Sequence, residues 1–434
     1  MAPDAGALDV VAVDWSSLLR PHDRLVCSHM TSEPVALLRS LCSASPAMPL
    51  ALMLGVPFTR AAADAPAHVS LSSFGAMGSA AGIGRGRPLQ IGMAPYGRCA
   101  EPFEQPAAAC DVALVSLARA PDGRLMLGAS HGYIVEAARQ ARHVVAEINA
   151  QAPCVPGAPW PDDIPLGTVV ATDCPLAQAA PVRGEAVDLQ IARHIAALVP
   201  DGACLQVGLG AMPSAVLAAL SAHRHLGVHS GMLTDALHGL MLSGAIDHSR
   251  KPAGSRHAVV GSVYGSAALY SFSHLNPAIA LREPRYTHGA AVIASLPEFV
   301  AINGAIEVDL LGQVNAEAVP EAVDGLQPDL RYVGGIGGLN DFVRGARAAP
   351  RGRSIVALPS RTRPGAAGRA RIVASLSGPA TVAAMDADIV VTEHGVAHLR
   401  DADLGDRVRR MLVLADPSDR EALERTAHAR GLLR

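Results

Sequence analysis

Short apolar runs alternate along this chain with stretches whose apolar residues recur at helical spacing. The runs Leu50–Val56, Val112–Leu117, Val144–Ile148, Thr168–Ala171, Cys204–Gly208, Ala258–Val263, Ala291–Ala294, Ile355–Leu358 and Ile389–Thr392 are rich in Val, Ile, Leu and Ala and predict strands. Helical spacing predicts helices over Pro34–Cys42, Tyr133–Arg142, Glu185–Leu198, Ser214–Ala222, Leu233–Ser243, Asp341–Ala348 and Arg420–Arg430. Strands alternating with helices give mainly parallel sheets covered on both faces, so the expected fold class is α/β.

A chain of 434 residues is too long for one ordinary core and points to two domains. The Pro/Gly-rich stretch 153–165 is the best linker, and Gln178–Glu185 begins a second unit, which suggests domains over 1–175 and 176–434. Half the residues are hydrophobic and 17% are charged, enough for a filled core without a membrane. Residues 203–222 carry no charge over a length that could span a bilayer, but Gln206, Gly208, Gly210 and Pro213 interrupt them, and strand, tight turn and helix is the better reading. Met1–Ala5 shows neither a basic nor an apolar leader region. The seven cysteines are odd in number and form no C-x-x-C pair, which argues against a disulfide framework or a zinc knuckle. Together these point to a cytoplasmic protein. A net charge of −3 with interspersed signs offers no basic stripe for nucleic acid.

Candidate chemistry is sparse. Gly128-Ala-Ser130-His-Gly132 fits a nucleophile elbow, yet nothing places an Asp and a His beside Ser130, and a plain turn is the simpler reading. Lys251 is the only lysine, and no P-loop is present. Gly208-Leu209-Gly210-Ala-Met-Pro213 follows a strand and opens a helix, but proline at the sixth position argues against a dinucleotide turn. The turn still presents backbone N–H groups at a helix N-terminus, with Pro213 suited to the first helical position. A tight connection without a ligand explains it equally well. Gly334-Gly335-Ile-Gly337-Gly338 precedes Asn340 and lets the backbone approach another group closely. If both glycine loops converge on one crevice, they make an oxyanion and thioester site. His223, His225 and His229 read as helix-end or surface residues, since no ligand set accompanies them, and no metal is expected.

Five segments in order, Leu205-Gln-Val-Gly-Leu-Gly-Ala-Met-Pro-Ser-Ala-Val-Leu, Leu226-Gly-Val-His-Ser, Ile302-Asn-Gly-Ala-Ile-Glu-Val-Asp-Leu-Leu-Gly-Gln-Val-Asn, Gly335-Ile-Gly-Gly-Leu-Asn-Asp-Phe-Val-Arg-Gly-Ala and Val391-Thr-Glu-His-Gly-Val-Ala, resemble the motifs of the acetyl-CoA hydrolase/transferase family. The resemblance spans about residues 203–397, and Asp111–Asn149 looks like the end of that family's N-terminal domain. It implies two open α/β domains of the CoA-transferase type, a homodimer, an acyl-CoA and a small carboxylate as partners, and coenzyme A thioester as substrate with no bound cofactor. It also implies that Gly208, Leu209, Gly210, Gly335, Gly337, Gly338 and Asn340 hold the CoA ester and its oxyanion.

In that family a glutamate attacks the thioester, giving a mixed anhydride and then a glutamyl-CoA thioester, because a carboxylate can be nucleophile and leaving group in turn. Its members typically read His-Ser-Glu-Met or a similar run at the place where this chain has His229-Ser230-Gly231-Met232. Gly231 therefore stands where the nucleophile is expected, while Glu307, Asn340 and Glu393 are kept. Three readings stay open. Water attacks in place of the glutamate, with Asp235 or His229 as general base; or the chain is an inactive acyl-CoA-binding or regulatory homologue; or a carboxylate from another segment restores transfer.

Overall fold

The computed structural model describes residues 12–105, 110–321, 329–362 and 368–433; the Met1–Ala5 segment read above lies outside them. The chain forms two compact units, one of Met1–Ala180, Met232–Asp235 and Val259–Thr287, the other of Pro181–Gly231, Ala236–Ala258 and His288–Arg434.

The sheet of the first unit runs in the order Leu89–Ile91, Val69–Ser73, Leu50–Met53, Arg24–Cys27, Val112–Arg119, His143–Asn149, Thr168–Thr172, and every neighbouring pair is parallel. Val112–Ala118 are all buried, as an apolar central strand covered on both faces should be. Trp15, Leu25, Leu37, Leu52, Leu114 and Val145 anchor the core on one side. The stretch 153–165 lies inside this unit: Trp160 is buried and donates Nε1–H to Ile164 O at 3.0 Å, and a Cβ at Gly157 would come within 2.6 Å of Leu281 O. Its prolines and glycine shape a packed loop, and the first unit continues to Ala180.

In the second unit the order is Gly227–Leu233 (its Gly227–Gly231 part), Cys204–Val207, Phe299–Gly304, Arg353–Ala357, Ile389–Thr392 and Gly395–His398, parallel throughout except for the last pair. Lys251 is buried here, its Nζ donating to Val228 O at 2.8 Å and His257 O at 2.7 Å, and burial lowers its pKa. It ties the start of the strand Gly227–Leu233 to a neighbouring loop. Among the described residues no helix is long and apolar enough to cross a membrane.

Three sequence expectations need correction. Ala291–Ala294 belongs to a helix, Ala290–Ala294, with only Ile293 buried, because a short alanine-rich run satisfies either period. The strand nearby is Phe299–Gly304. The helix expected from Ser214 begins at Ala211, so Pro213 is its third residue, where its missing N–H is one that no intrahelical acceptor would have used. The helix expected from Leu233 begins at Asp235, because Gly227–Leu233 is a strand.

Just past the point where the first sheet's order reverses, Glu33 is buried with its Oε2 accepting the N–H groups of Phe58 and Thr59 at 3.1 and 2.8 Å. Burial pushes its pKa from 4.5 to about 7, against the pull of those hydrogen bonds. A folded-state pKa above the unfolded one makes this group's contribution complete below about pH 4.5 and lost as pH rises through 7. Urea titrations should show the stability of the wild type relative to Glu33→Gln falling by up to about 3 kcal/mol between pH 4.5 and 7.5. A difference that stays constant over that range would mean Glu33 is ionised in the fold.

Candidate active site

The strand order of the second unit reverses between Cys204–Val207 and Phe299–Gly304, and Gly208-Leu209-Gly210 leaves the first of these strands. In an open parallel sheet the crevice beyond the carboxyl ends of strands at such a reversal is where ligands bind. Gly208 donates its N–H to Ile302 O at 2.9 Å, and the side-chain amides of Gln206 and Asn303 exchange hydrogen bonds at 3.0 and 2.8 Å across the same two strands. Leu209 is 49% exposed. Gly210 has φ 124°, a backbone that a residue with a side chain adopts only under strain, and it caps the helix Ala211–Ala219. Gly227 pairs with Cys204 and Ile302 with Val207, so continuing these registers sets Gly231 and Asn303 level with Gly208.

The second glycine loop is held differently. Val333 and Gly334 both donate to Glu317 O at 2.9 Å, and a Cβ at Gly334 would collide with Ala316 O. Gly335 is half-buried, Gly337 has φ 52°, and Gly338 caps the helix Leu339–Ala348. Asn340, in the first turn, has a buried Oδ1 without a hydrogen-bond partner. That helix lies close to Ala290–Ala294, since a Cβ at Gly345 would stand 2.6 Å from Ile293. The close approach brings the amino end of Leu339–Ala348 up to His288, the residue just before Gly289 caps the shorter helix.

His288 joins the two motifs. A Cβ on Gly231 would meet His288 Nε2 at 3.2 Å and Cε1 at 3.4 Å, and a Cβ on Gly338 would meet Nε2 and Cδ2 at 2.5 Å. The ring is 4% exposed and packs at 46° on Phe342, centroids 4.5 Å apart. Phe342 stacks on Phe299 at 6.3 Å, and Phe299 meets His229 edge-on at 6.2 Å. His229 is 1% exposed within a strand, where the sequence suggested a surface or helix-end position. Residues 229 and 231 share one face of their strand, which is why the missing side chain of Gly231 looks toward this aromatic row.

The other sequence candidates are engaged elsewhere. Asp235 accepts the Ser266 N–H at 2.9 Å and the Ser266 hydroxyl at 2.6 Å. Gly231 lies in the strand Gly227–Leu233, and Asp235 opens the helix that follows it. Glu307 accepts from Ser377 N–H and Oγ and from Asn315 Nδ2, at 2.6, 2.8 and 3.0 Å. Glu393 accepts from Ser360 N–H at 2.9 Å and from its hydroxyl at 2.6 Å. Arg371 donates to Ala305 O and Ile306 O, just past the end of Phe299–Gly304; burial lowers its pKa while Glu393 raises it. Ser130 is buried with its Oγ 2.6 Å from Ser262 Oγ, closed off from the role of an exposed nucleophile. His223 Nε2 lies 3.0 Å from Val199 O and His225 Nδ1 2.8 Å from Asp247, so the three histidines face different partners.

Sequence reasoning missed His288. It lies 57 positions from Gly231, in a Tyr-Thr-His-Gly run without periodicity, and only the fold shows that both glycine motifs need space for its ring.

The chain is 33% identical over 323 residues to the 4-hydroxybutyrate coenzyme A transferase of Clostridium kluyveri, covering 74% of this chain and 73% of that one. The chain belongs to the acetyl-CoA hydrolase/transferase family. The signature of the acetyl-CoA hydrolase/transferase C-terminal domain matches residues 265–427. Two solved structures resemble it over nearly their whole length. RipA from Yersinia pestis superposes with a TM-score of 0.85 at 27% identity over 96% of both chains. The 4-hydroxybutyrate CoA-transferase from Porphyromonas gingivalis does so with a TM-score of 0.78 at 29% identity over 96% of this chain and 95% of that one. The two α/β units with large, mainly parallel sheets are those of this family.

If Gly338 is glycine to accommodate the His288 ring, Gly338→Ala should destabilise the protein by about 1–3 kcal/mol. Adding His288→Ala should recover at least about 1 kcal/mol of that loss in a double-mutant cycle read by chemical denaturation. Additive effects would show that the two residues do not share the space.

Proposed function

We propose that the protein cleaves the CoA thioester of a small carboxylic acid, with water as acyl acceptor, at the strand-order reversal of the second unit. The observation that carries this reading is the meeting of Gly231 and Gly338 on one imidazole, level with the Gly208 loop, in a chain of a family that includes hydrolases and transferases. The backbone N–H groups of Leu209, Gly210, Gly335, Gly337 and Gly338, with Asn340, hold the thioester and the negative charge that develops on its carbonyl oxygen, while the Gly208 N–H, bonded to Ile302 O, fixes the turn that presents them. Preorganised donors of this kind stabilise a tetrahedral oxyanion whatever attacks it.

Gly231 stands in for the glutamate that the family resemblance leads one to expect, and a glycine cannot carry an acyl intermediate. The carboxylates of Asp235, Glu307 and Glu393 are held by Ser266, Ser377 with Asn315, and Ser360, which weighs against any of them as replacement nucleophile. Transfer of the acyl group or of CoA to a carboxylate is the second reading, supported by the C. kluyveri relative, whose name describes a CoA transferase. In this account residues 1–175 are the N-terminal CoA-transferase-like domain, residues 176–434 the acetyl-CoA hydrolase/transferase domain, and the protein is a cytoplasmic homodimer.

A panel of short and branched acyl-CoAs should show release of free thiol without any added carboxylate. Rates that appear only when acetate or another carboxylate is added would favour transfer, and binding without any turnover would make the protein an inactive CoA-ester binder. Gly231→Glu must push the His288 ring aside by a few tenths of an ångström before its carboxylate can be used. It should therefore gain carboxylate-dependent transfer at the expense of hydrolysis.

A further inference from the structure

We propose that the first unit carries a ligand site of its own, a cavity that binds an organic monocarboxylate through Arg119 and His274. The proposal does not depend on the thioester reading, because every residue that lines this cavity belongs to the first unit.

The cavity measures about 740 Å³ and lies where the strands Val112–Arg119, His143–Asn149 and Thr168–Thr172 end side by side. That is the size of a pocket for a small organic molecule. Three walls enclose it, and each is tied to another. The loops 149–153 and 172–178 are clamped by Asn149, whose Nδ2 donates to Cys174 O at 2.8 Å while its Oδ1 accepts the N–H groups of Cys174 and Gln151, both at 3.0 Å. The third wall is the helix Ala267–Ser273, with His274 just past its end. Tyr270 on that helix donates its hydroxyl to Ala177 O, and Cys154 donates its N–H to His274 Nδ1 at 3.2 Å. Walls cross-tied in this way keep their shape without a ligand, so binding costs little reorganisation.

The polar groups left over in this cavity match one negative charge. Arg119 ends its strand, and its guanidinium has neither an ion pair nor a hydrogen bond among the described residues. Because His274 Nδ1 is an acceptor, the neutral ring carries its proton on Nε2, which makes that nitrogen a second donor. No Asp or Glu lines the cavity among the described residues. One fixed positive charge beside a neutral donor suits a carboxylate, whose two oxygens fit the guanidinium fork. A phosphate carries further charge near pH 7 that no second cation here would match. Ile148, Ala171 and Leu176 supply apolar surface for the body of the ligand, and Ser271 and Gln178 a hydroxyl and an amide for a polar group on it.

The test uses hippurate, a monocarboxylate with an amide and an apolar ring, beside its neutral carboxamide and inorganic phosphate. Each is titrated calorimetrically into the full chain and into Arg119→Gln and Ala171→Trp, two substitutions at exposed positions whose folding is checked by thermal unfolding. Hippurate should bind the wild type with a Kd of about 1 mM or below, and at least about tenfold more tightly than the carboxamide. Arg119→Gln should weaken hippurate by about tenfold or more and leave the carboxamide unchanged. Ala171→Trp keeps the arginine but fills the cavity, and it should weaken both. Absence of hippurate binding, binding that survives either substitution, or phosphate bound more tightly than hippurate would each overturn the proposal.

Discussion

The interaction on which the site depends is the fit of one imidazole between two glycines. His288 stands against positions 231 and 338, and a Cβ at 338 would lie inside the ring's contact distance. That constraint runs both ways. The ring requires glycine in the loop before Leu339–Ala348, and any side chain at 231, where the family resemblance leads one to expect a carboxylate, would press on its Nε2.

The rest of the second unit serves as the scaffold of that fit. The parallel order fixes Gly231, Gly208 and Asn303 level with one another where the sheet changes winding direction, a place at which loops part and a cleft opens. The contact of Ile293 with Gly345 sets the distance between two helices, and with it the height of Gly338 against the ring. Phe342 and Phe299 then serve both the core and the site: they belong to one buried cluster with Cys204 and Ala301, and they form the wall behind His288. Distortion of that cluster would reach the imidazole and Gly338 together, since Phe342 stands against both.

Much of this was legible in the chain itself. The central strands and most helices follow from apolar runs and helical spacing, with Ala258–Val263 and Ile389–Thr392 recovered to the residue. The glycine loops were visible because glycines clustered beside a strand or a helix weaken that element, a cost that makes sense where the backbone must turn sharply or approach another group. What could not be read was local or three-dimensional. Arg24–Cys27 and Val69–Ser73 are four and five residues long, too short for their apolar positions to stand out from the flanking chain. Ala290–Ala294 shows how an apolar run too short to show a period defaults to the wrong element. The engagement of Asp235 by Ser266 and the burial of His229 depend on packing that no spacing rule encodes. His288 is the clearest case, since its meaning comes from two glycines 57 positions before it and 50 after it in the chain.

The claim that water, and not a protein carboxylate, receives the acyl group is open to a single isotope measurement. When the protein turns over an acyl-CoA in ¹⁸O-labelled water, direct attack places the heavy oxygen in the released acid and leaves every Asp and Glu of the protein unlabelled by peptide mass spectrometry after one turnover. Heavy oxygen in a protein carboxylate would mean that an acyl-enzyme or enzyme-CoA intermediate forms and is hydrolysed, and would contradict the account.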